Sequence, residues 1–192
     1  MASNPVTKVT EEQYLALDRE AEVRSEFLDG EMWAMSGGST RHSALATNIV
    51  IELGPLLRGT DCRVFMSDLR VRVSPGRMYV YPDVTVVCGK LLFADDRQDI
   101  LLNPAVIFEG LSPSTENYDR GVKLQQYLSM ETLKDYILID QNKVRVEQYA
   151  RDNADTWTFR AYQHLDDELK IDSVGVSCQL SGIYDRVELP GV

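Results

Sequence analysis

Histidine and cysteine are scarce in this sequence, two and three in 192 residues, and their positions exclude the chemistries that depend on them. His42 and His164 do not form a metal-binding pair by spacing. Cys62, Cys88 and Cys178 stand singly and are odd in number, so they make neither a zinc set nor a redox motif; buried free thiols in a reducing cytosol are expected. Basic residues are outnumbered, 20 Lys and Arg against 30 Asp and Glu, for a net charge of −10. That balance argues against a protein that coats nucleic acid through a broad basic surface, because such affinity comes largely from phosphate neutralisation and counterion release. A local basic groove stays compatible with it. No apolar run approaches the roughly 18 residues of a membrane span, and MASNPVTKVT lacks the apolar core of a secretion signal. There is no phosphate-binding glycine loop, nucleophile elbow, internal repeat or low-complexity tract. What remains is a cytoplasmic protein, independent of membranes, whose length and 44% hydrophobic content fit one domain over residues 1–192.

Turn and capping signals divide that chain. After a short N-terminal tail, Thr10 followed by EEQYLALDREAE reads as an N-capped peripheral helix, its acids in the first turn where the dipole favours them. SEFLDGEMWAMSG places Asp29-Gly30 between short apolar runs, a strong hairpin signal. HSALATNIVIELGPLLRG puts Leu45, Ile49, Leu53 and Leu56 or Leu57 on one helical stripe, the long helix against a sheet. CRVFMSDLRVRV and MYVYPDVTVV flank a turn at Ser74-Pro75-Gly76 and read as a second hairpin, with Asp68, Arg70 and Arg72 on one face. Residues 89–103 are polar and irregular, the pattern of a mobile loop bordering a groove. DRGVKLQQYLSM is a helix capped by Ser114 or Thr115, or by Asp119 a turn later, with Leu124, Tyr127 and Leu128 inward and Lys123 at the border of that stripe. LKDYILID supplies a strand. VRVEQYA and WTFRAY form an antiparallel pair, and ELKIDSVGVSCQL and SGIYDRV complete a half that widens the sheet and offers an association surface.

Two carboxylates interrupt strand-like runs: Asp83 in YVYPDVTVV and Glu109 in AVIFEGL. An ionised acid taken out of water costs several kcal/mol unless a metal, a cation or hydrogen bonds replace that water. Alternate strand residues share a face. Val80, Val84 and Val86 fall on one face and Tyr79, Tyr81, Asp83 and Thr85 on the other; Ala105, Ile107, Glu109 and Leu111 share a face, so Glu109 projects among apolar neighbours. If the two strands are adjacent, both acids reach one spot and hold a hard divalent cation, which prefers oxygen ligands. That makes the pair a magnesium site. Plainer alternatives stay open: Asp83 ends a pairing segment beside Pro82, Glu109 is matched by Arg70 or Arg72, Glu26 is a solvated hairpin acid, Lys123 a solvated helix lysine, and His42 a structural helix-start residue.

Pro82-Asp83 on one strand and Glu109 on a later one resemble the core of the PD-(D/E)XK nuclease superfamily. FLDGEMWAMSG, RHSALATNIVIEL, YPDVTVVC, EGLSPST, DRGVKLQQY and KDYILID are similar, in order, to the Uma-two family of restriction-endonuclease-like proteins, over about residues 10–187. The resemblance implies an α/β (α+β) fold with an αβββαβ core, a mixed central sheet flanked by helices, and extra C-terminal antiparallel strands. It departs from the superfamily pattern at position 111, where the motif lysine is replaced by Leu111; the family's lysine lies on the following helix and matches Lys123.

The resemblance further implies a magnesium-dependent DNA endonuclease, with Mn2+ as a substitute ion. Asp83 and Glu109 are the expected metal ligands and Lys123 the group that orients water or stabilises the developing anion. Glu26 is a candidate third acid and His42 a candidate for phosphate contact or proton transfer. Asp68 is a further candidate, and Arg70, Arg72 or Arg120 hold flanking phosphates. Cutting both strands of a duplex calls for a homodimer. The alternative, supported by the missing lysine and the acidic charge, is a nuclease fold used without cleavage as a DNA-binding or protein-interaction module.

Overall fold

A long β-hairpin that bends through a corner sets the plan of the molecule. The computed structural model describes residues 8–35, 37–113 and 115–190; the expected N-terminal tail before residue 8 and the expected cap at Ser114 lie outside the described residues. In order, the chain forms α1 (Glu11–Glu20), β1 (Ser25–Leu28), β2 (Glu31–Ala34), α2 (Thr40–Leu57), β3 (Cys62–Met66), β4 (Arg70–Ser74), β5 (Met78–Val80) and β6 (Val84–Cys88). It continues through β7 (Ile100–Leu101), β8 (Val106–Leu111), α3 (Glu116–Tyr118), a π-helical turn (Asp119–Lys123), α4 (Leu124–Leu128) and β9 (Asp135–Asp140). The remainder is β10 (Val146–Arg151), β11 (Trp157–Tyr162), β12 (Glu168–Ile171), a 3-10 turn (Asp172–Val174), β13 (Val176–Gln179) and α5 (Leu180–Ile183).

The expected hairpin about Pro75 is present, but its two arms each divide between sheets. β3 pairs antiparallel with β6 in a six-stranded sheet ordered β11-β10-β9-β8-β6-β3, whereas β4 pairs with β5 in a five-stranded sheet ordered β2-β1-β5-β4-β7. Residues 67–69 and 81–83 are the two bends. Proline removes a ladder donor and restricts the residue before it, so Pro82 is placed where pairing is interrupted. In the six-stranded sheet β8 and β9 run parallel, joined by the α3–α4 crossover, while β6 and β8 are antiparallel. The sequence α2, β3, β6, β8, helix, β9 is the expected αβββαβ core, and β10 and β11 widen it. β12 and β13 pair only with each other, as a separate hairpin.

Period-two patterning decides the layers. Val84, Val86, Val106, Phe108, Ile137 and Ile139 pack with Leu45, Ile49, Leu53 and Leu57 of α2. The other face of the same sheet, Val87, Ile107, Leu111, Tyr136 and Leu138, meets Val71, Met78 and Val80 of the five-stranded sheet and Tyr127 of α4. Tyr14 of α1 covers the far side of that sheet against Phe27, Tyr79 and Ile100. Burial on both faces explains why β8 and β9 read as almost unbroken apolar runs. Asp29 and Gly30 both take positive φ, 49° and 92°, as a tight primed turn requires. Thr10 caps α1 in a reciprocal box with Gln13. Thr115 precedes α3 in a helical conformation and makes no side-chain cap bond to it.

Two expectations are corrected. Residues 89–103 are held in place: β7 adds a parallel strand beside β4, and Arg19 of α1 bonds Asp95 at 2.8 Å and Asp99 at 2.8 Å. Cys62 and Cys88 are cross-strand partners joined by a disulfide, and only Cys178 is free and buried. Among the described residues no helix is long and apolar enough to cross a membrane.

Candidate metal and active site

Glu109 lies in β8 on the face between the two sheets, with Ile107 and Leu111 as same-face neighbours, and is 5% exposed. Its Oε1 accepts from the Tyr127 hydroxyl at 3.0 Å and lies 2.9 Å from Lys123 Nζ. Lys123 is itself buried, against the expectation of a stripe-border position, and its Nζ also lies 2.8 Å from Glu26 Oε1 and 3.6 Å from Asp119 Oδ1. Glu26 comes from β1 of the opposite sheet, so one ammonium joins acids of both layers.

The π-turn explains how Lys123 gets there. Five residues, Asp119–Lys123, wind wider than an α-helix between α3 and α4. Asp119 and Lys123 are both buried as a result. Such turns are rare and recur at functional sites.

Asp83 occupies the bend where β6 begins. Its carboxylate takes the place of a ladder partner, since Oδ2 accepts from Gly110 N at 2.7 Å, while Oδ1 lies 2.8 Å from His42 Nε2. Extending the β6–β8 register, Val84 opposite Phe108, by one residue sets Asp83 opposite Glu109. The imidazole of His42 is tightly seated: a Cβ on Gly110 would meet its ring at 3.1 Å and one on Gly38 at 3.0 Å. Ser39 caps α2 by accepting from His42 N, which sets the direction of that side chain.

The electrostatics follow from burial. Desolvation pushes the Glu109 carboxyl well above the usual range; Lys123 opposes this, and Asp83, Asp119 and Glu26 reinforce it. Desolvation likewise raises Asp119, against the opposing Lys123 charge. Burial alone would lower Lys123, but Glu109 and Glu26 outweigh it and hold the amine protonated. The hydrogen bond to Asp83 raises His42 despite its burial. Lys123 and His42 therefore face four acids, Glu26, Asp83, Glu109 and Asp119. The carboxyl oxygens of Asp83 and Glu109 are the donor type that suits a hard divalent ion. The Tyr118 hydroxyl is buried beside the same acids and has no hydrogen-bond partner among the described residues. Among the described residues, three ligand atoms come within 4.8 Å of one another at Asp61, Cys62 and Cys88, but the two sulfurs are bonded to each other and offer no thiolate.

Other residues singled out in the sequence are engaged elsewhere. Arg70 is buried, its guanidinium on Asp18 and its Nε donating to Tyr81 at 2.9 Å. Asp68 sits in the exposed bend and pairs with Arg24 at 3.1 Å. Arg72 is cross-strand partner to Tyr79, and Arg120 pairs with Glu147 and, at 2.9 Å, Glu116. The sequence reading takes Asp119 only as a cap and Tyr127 only as packing, and does not single out Tyr118; the i, i+4 spacing of Asp119 and Lys123 is the available signal.

The sequence profile of a family described as "Putative restriction endonuclease" (Uma2) matches residues 11–181. The chain belongs to this family. Two proteins of Synechocystis sp. are similar to it, both named as uncharacterized. The protein slr1290 is 33% identical over 184 residues, covering 95% of this chain and 94% of that one. The protein sll1609 is 34% identical over 152 residues, covering 79% and 86%. The crystal structure of "a putative nuclease belonging to DUF820" from Anabaena variabilis superposes with a TM-score of 0.75 at 18% identity, over 92% of this chain and 97% of that one. The Uma2 chain thus has a restriction-endonuclease-like nuclease fold, with its buried acids and Lys123 at the junction of the two sheets.

Proposed function

We propose that this Uma2 protein is a cytoplasmic, Mg2+-dependent DNA endonuclease, with Asp83 and Glu109 as the protein ligands of the ion and Mn2+ able to substitute. The observation that carries the reading is Glu109, a buried carboxylate kept beside Asp83 and an ammonium, at an energetic cost that structural packing alone does not need. Two carboxylates suffice for magnesium, which normally completes its shell with water and substrate phosphate. When bound, the ion supplies Lewis acidity and a more acidic water.

Lys123 holds a fixed positive charge 2.9 Å from Glu109, where charge develops on a phosphate during hydrolysis. Glu26 and Asp119 keep that amine protonated and oriented. His42 fixes the Asp83 carboxylate from one side while Gly110 N fixes it from the other. Cutting both strands of a duplex would take two such sites, as a homodimer supplies.

The test is nicking of supercoiled plasmid with Mg2+ or Mn2+. Nicking that disappears on Asp83→Ala and Glu109→Ala is the expected result. Absence of cleavage by the wild type with several metals and DNA forms sinks the enzyme reading and leaves a non-cleaving module.

A further inference from the structure

Trp33 is a large apolar side chain left 44% exposed on β2, the edge strand of the five-stranded sheet. Its cross-strand partner is Glu26, the acid that grips Lys123. Opposed residues of an antiparallel pair share a face and stand about 5 Å apart. The indole is therefore on the same face as the site, one strand outward from it. Tyr118 completes the arrangement: its ring lies 6.3 Å from that of Trp33, tilted by 46°, and 5.6 Å from the Lys123 ammonium. The Tyr118 hydroxyl is the buried donor without a partner described above. From outside inward, the order is an open aromatic face, a tilted aromatic with an unused hydroxyl, the ammonium and the acids.

This order matches the chemistry of a nucleotide entering base-outward. Every base presents a π-face, and stacking on an aromatic side chain contributes to binding independently of sequence. The phosphate attached to such a base would lie toward Lys123, past the Tyr118 ring. A base inside an uninterrupted duplex has both faces covered and cannot stack on an indole. The net charge of −10, and the engagement of Arg70 and Arg120 with acids, leave little phosphate neutralisation to hold a duplex.

We propose that Trp33 and Tyr118 form a stacking platform for an unpaired nucleobase beside the scissile phosphate, so that the site acts on single-stranded DNA. This substrate class rests on the nuclease reading above and deepens it.

The chain contains two tryptophans, so Trp157→Phe leaves Trp33 as the sole reporter. Titrating that protein with an oligothymidine, with Ca2+ in place of Mg2+, is expected to quench its fluorescence, whereas a closed hairpin duplex of equal length leaves it unchanged. Trp33→Ala, in the otherwise wild-type protein, is expected to weaken oligothymidine binding about tenfold or more, and Trp33→Tyr to recover most of that loss. Equal quenching by duplex, no quenching by the single strand, or the same affinity in Trp33→Ala overturns the proposal. So does loss of Mn2+ binding in Trp33→Ala, which marks a structural role. If metal-dependent cleavage depends on Asp83 and Glu109 while these readouts fail, only the substrate class falls; if neither plasmid nor single-stranded DNA is cleaved with any metal, the nuclease reading falls.

Discussion

Lys123 Nζ lies 2.8 Å from Glu26, 2.9 Å from Glu109 and 3.6 Å from Asp119. Removing one partner of a buried charge cluster leaves the remainder uncompensated, a change that costs about 3–5 kcal/mol. Lys123→Met is therefore expected to lower unfolding free energy by about that amount in metal-free buffer and to regain part of it on adding Mg2+, as read by urea denaturation. No recovery with any divalent ion would argue against a cation site among these acids. At this scale the sequence was legible where a residue contradicted its surroundings. Glu109 in an apolar run and Asp83 after Pro82 were visible because each violates strand patterning. Asp119 was not visible, because an acid at the start of a helix already has an ordinary explanation in the dipole.

At the scale of elements, Arg19 ties α1 to the segment before β7 through Asp95 and Asp99, at 2.8 Å each, and its own exposure is only 21%. Arg19→Ala is expected to release residues 95–98 to limited proteolysis while lowering global stability by about 1 kcal/mol or less, since these acids remain partly solvated. Unchanged proteolysis would mean that β7 alone fixes the loop. The composition of 89–103 gave no sign of this, because the clamp comes from a helix some eighty residues earlier. Asp68, Arg70 and Arg72 were placed on one face by period two; the bend at 67–69 separates Asp68 from β4, and Asp18 of α1 takes Arg70 into a buried ion pair. The disulfide could have been read from the hairpin itself. Cys62 and Cys88 are equidistant from Pro75, so the turn predicts that they face each other. The π-turn has no comparable sequence signature, and Lys123 was read at a helix border for that reason.

Over the whole molecule, protonation is linked to folding far from the site as well. Asp135 begins β9 and holds the C-terminal hairpin to the six-stranded sheet, accepting from Gln148 Nε2 at 2.7 Å and from the Ser173 hydroxyl. Burial raises its pKa above 3.8 although both hydrogen bonds lower it. The folded chain thus holds this proton more tightly than the unfolded chain. Its contribution is present at acid pH and is lost as pH rises above about 3.8 through the folded value. Asp135→Asn keeps an acceptor for Gln148 and removes the ionisation. Its melting temperature is expected to exceed wild type by a margin that grows as pH rises above about 4, at about 2–4 °C per kcal/mol in a domain of this size. A constant difference across that range would exclude Asp135 as the linked group. The order of helices and strands was legible from periodicity and the αβββαβ core from the family resemblance, whereas the partition into two sheets was not, because strand patterns continue through a corner without interruption.

The amine of Lys123 belongs to a crossover segment, yet it clasps one acid from each sheet. The catalytic candidate is thereby also a rivet between layers. Variants that disarm it will tend to loosen the sandwich, so in this chain lost activity and lost cohesion are expected to be inherited together.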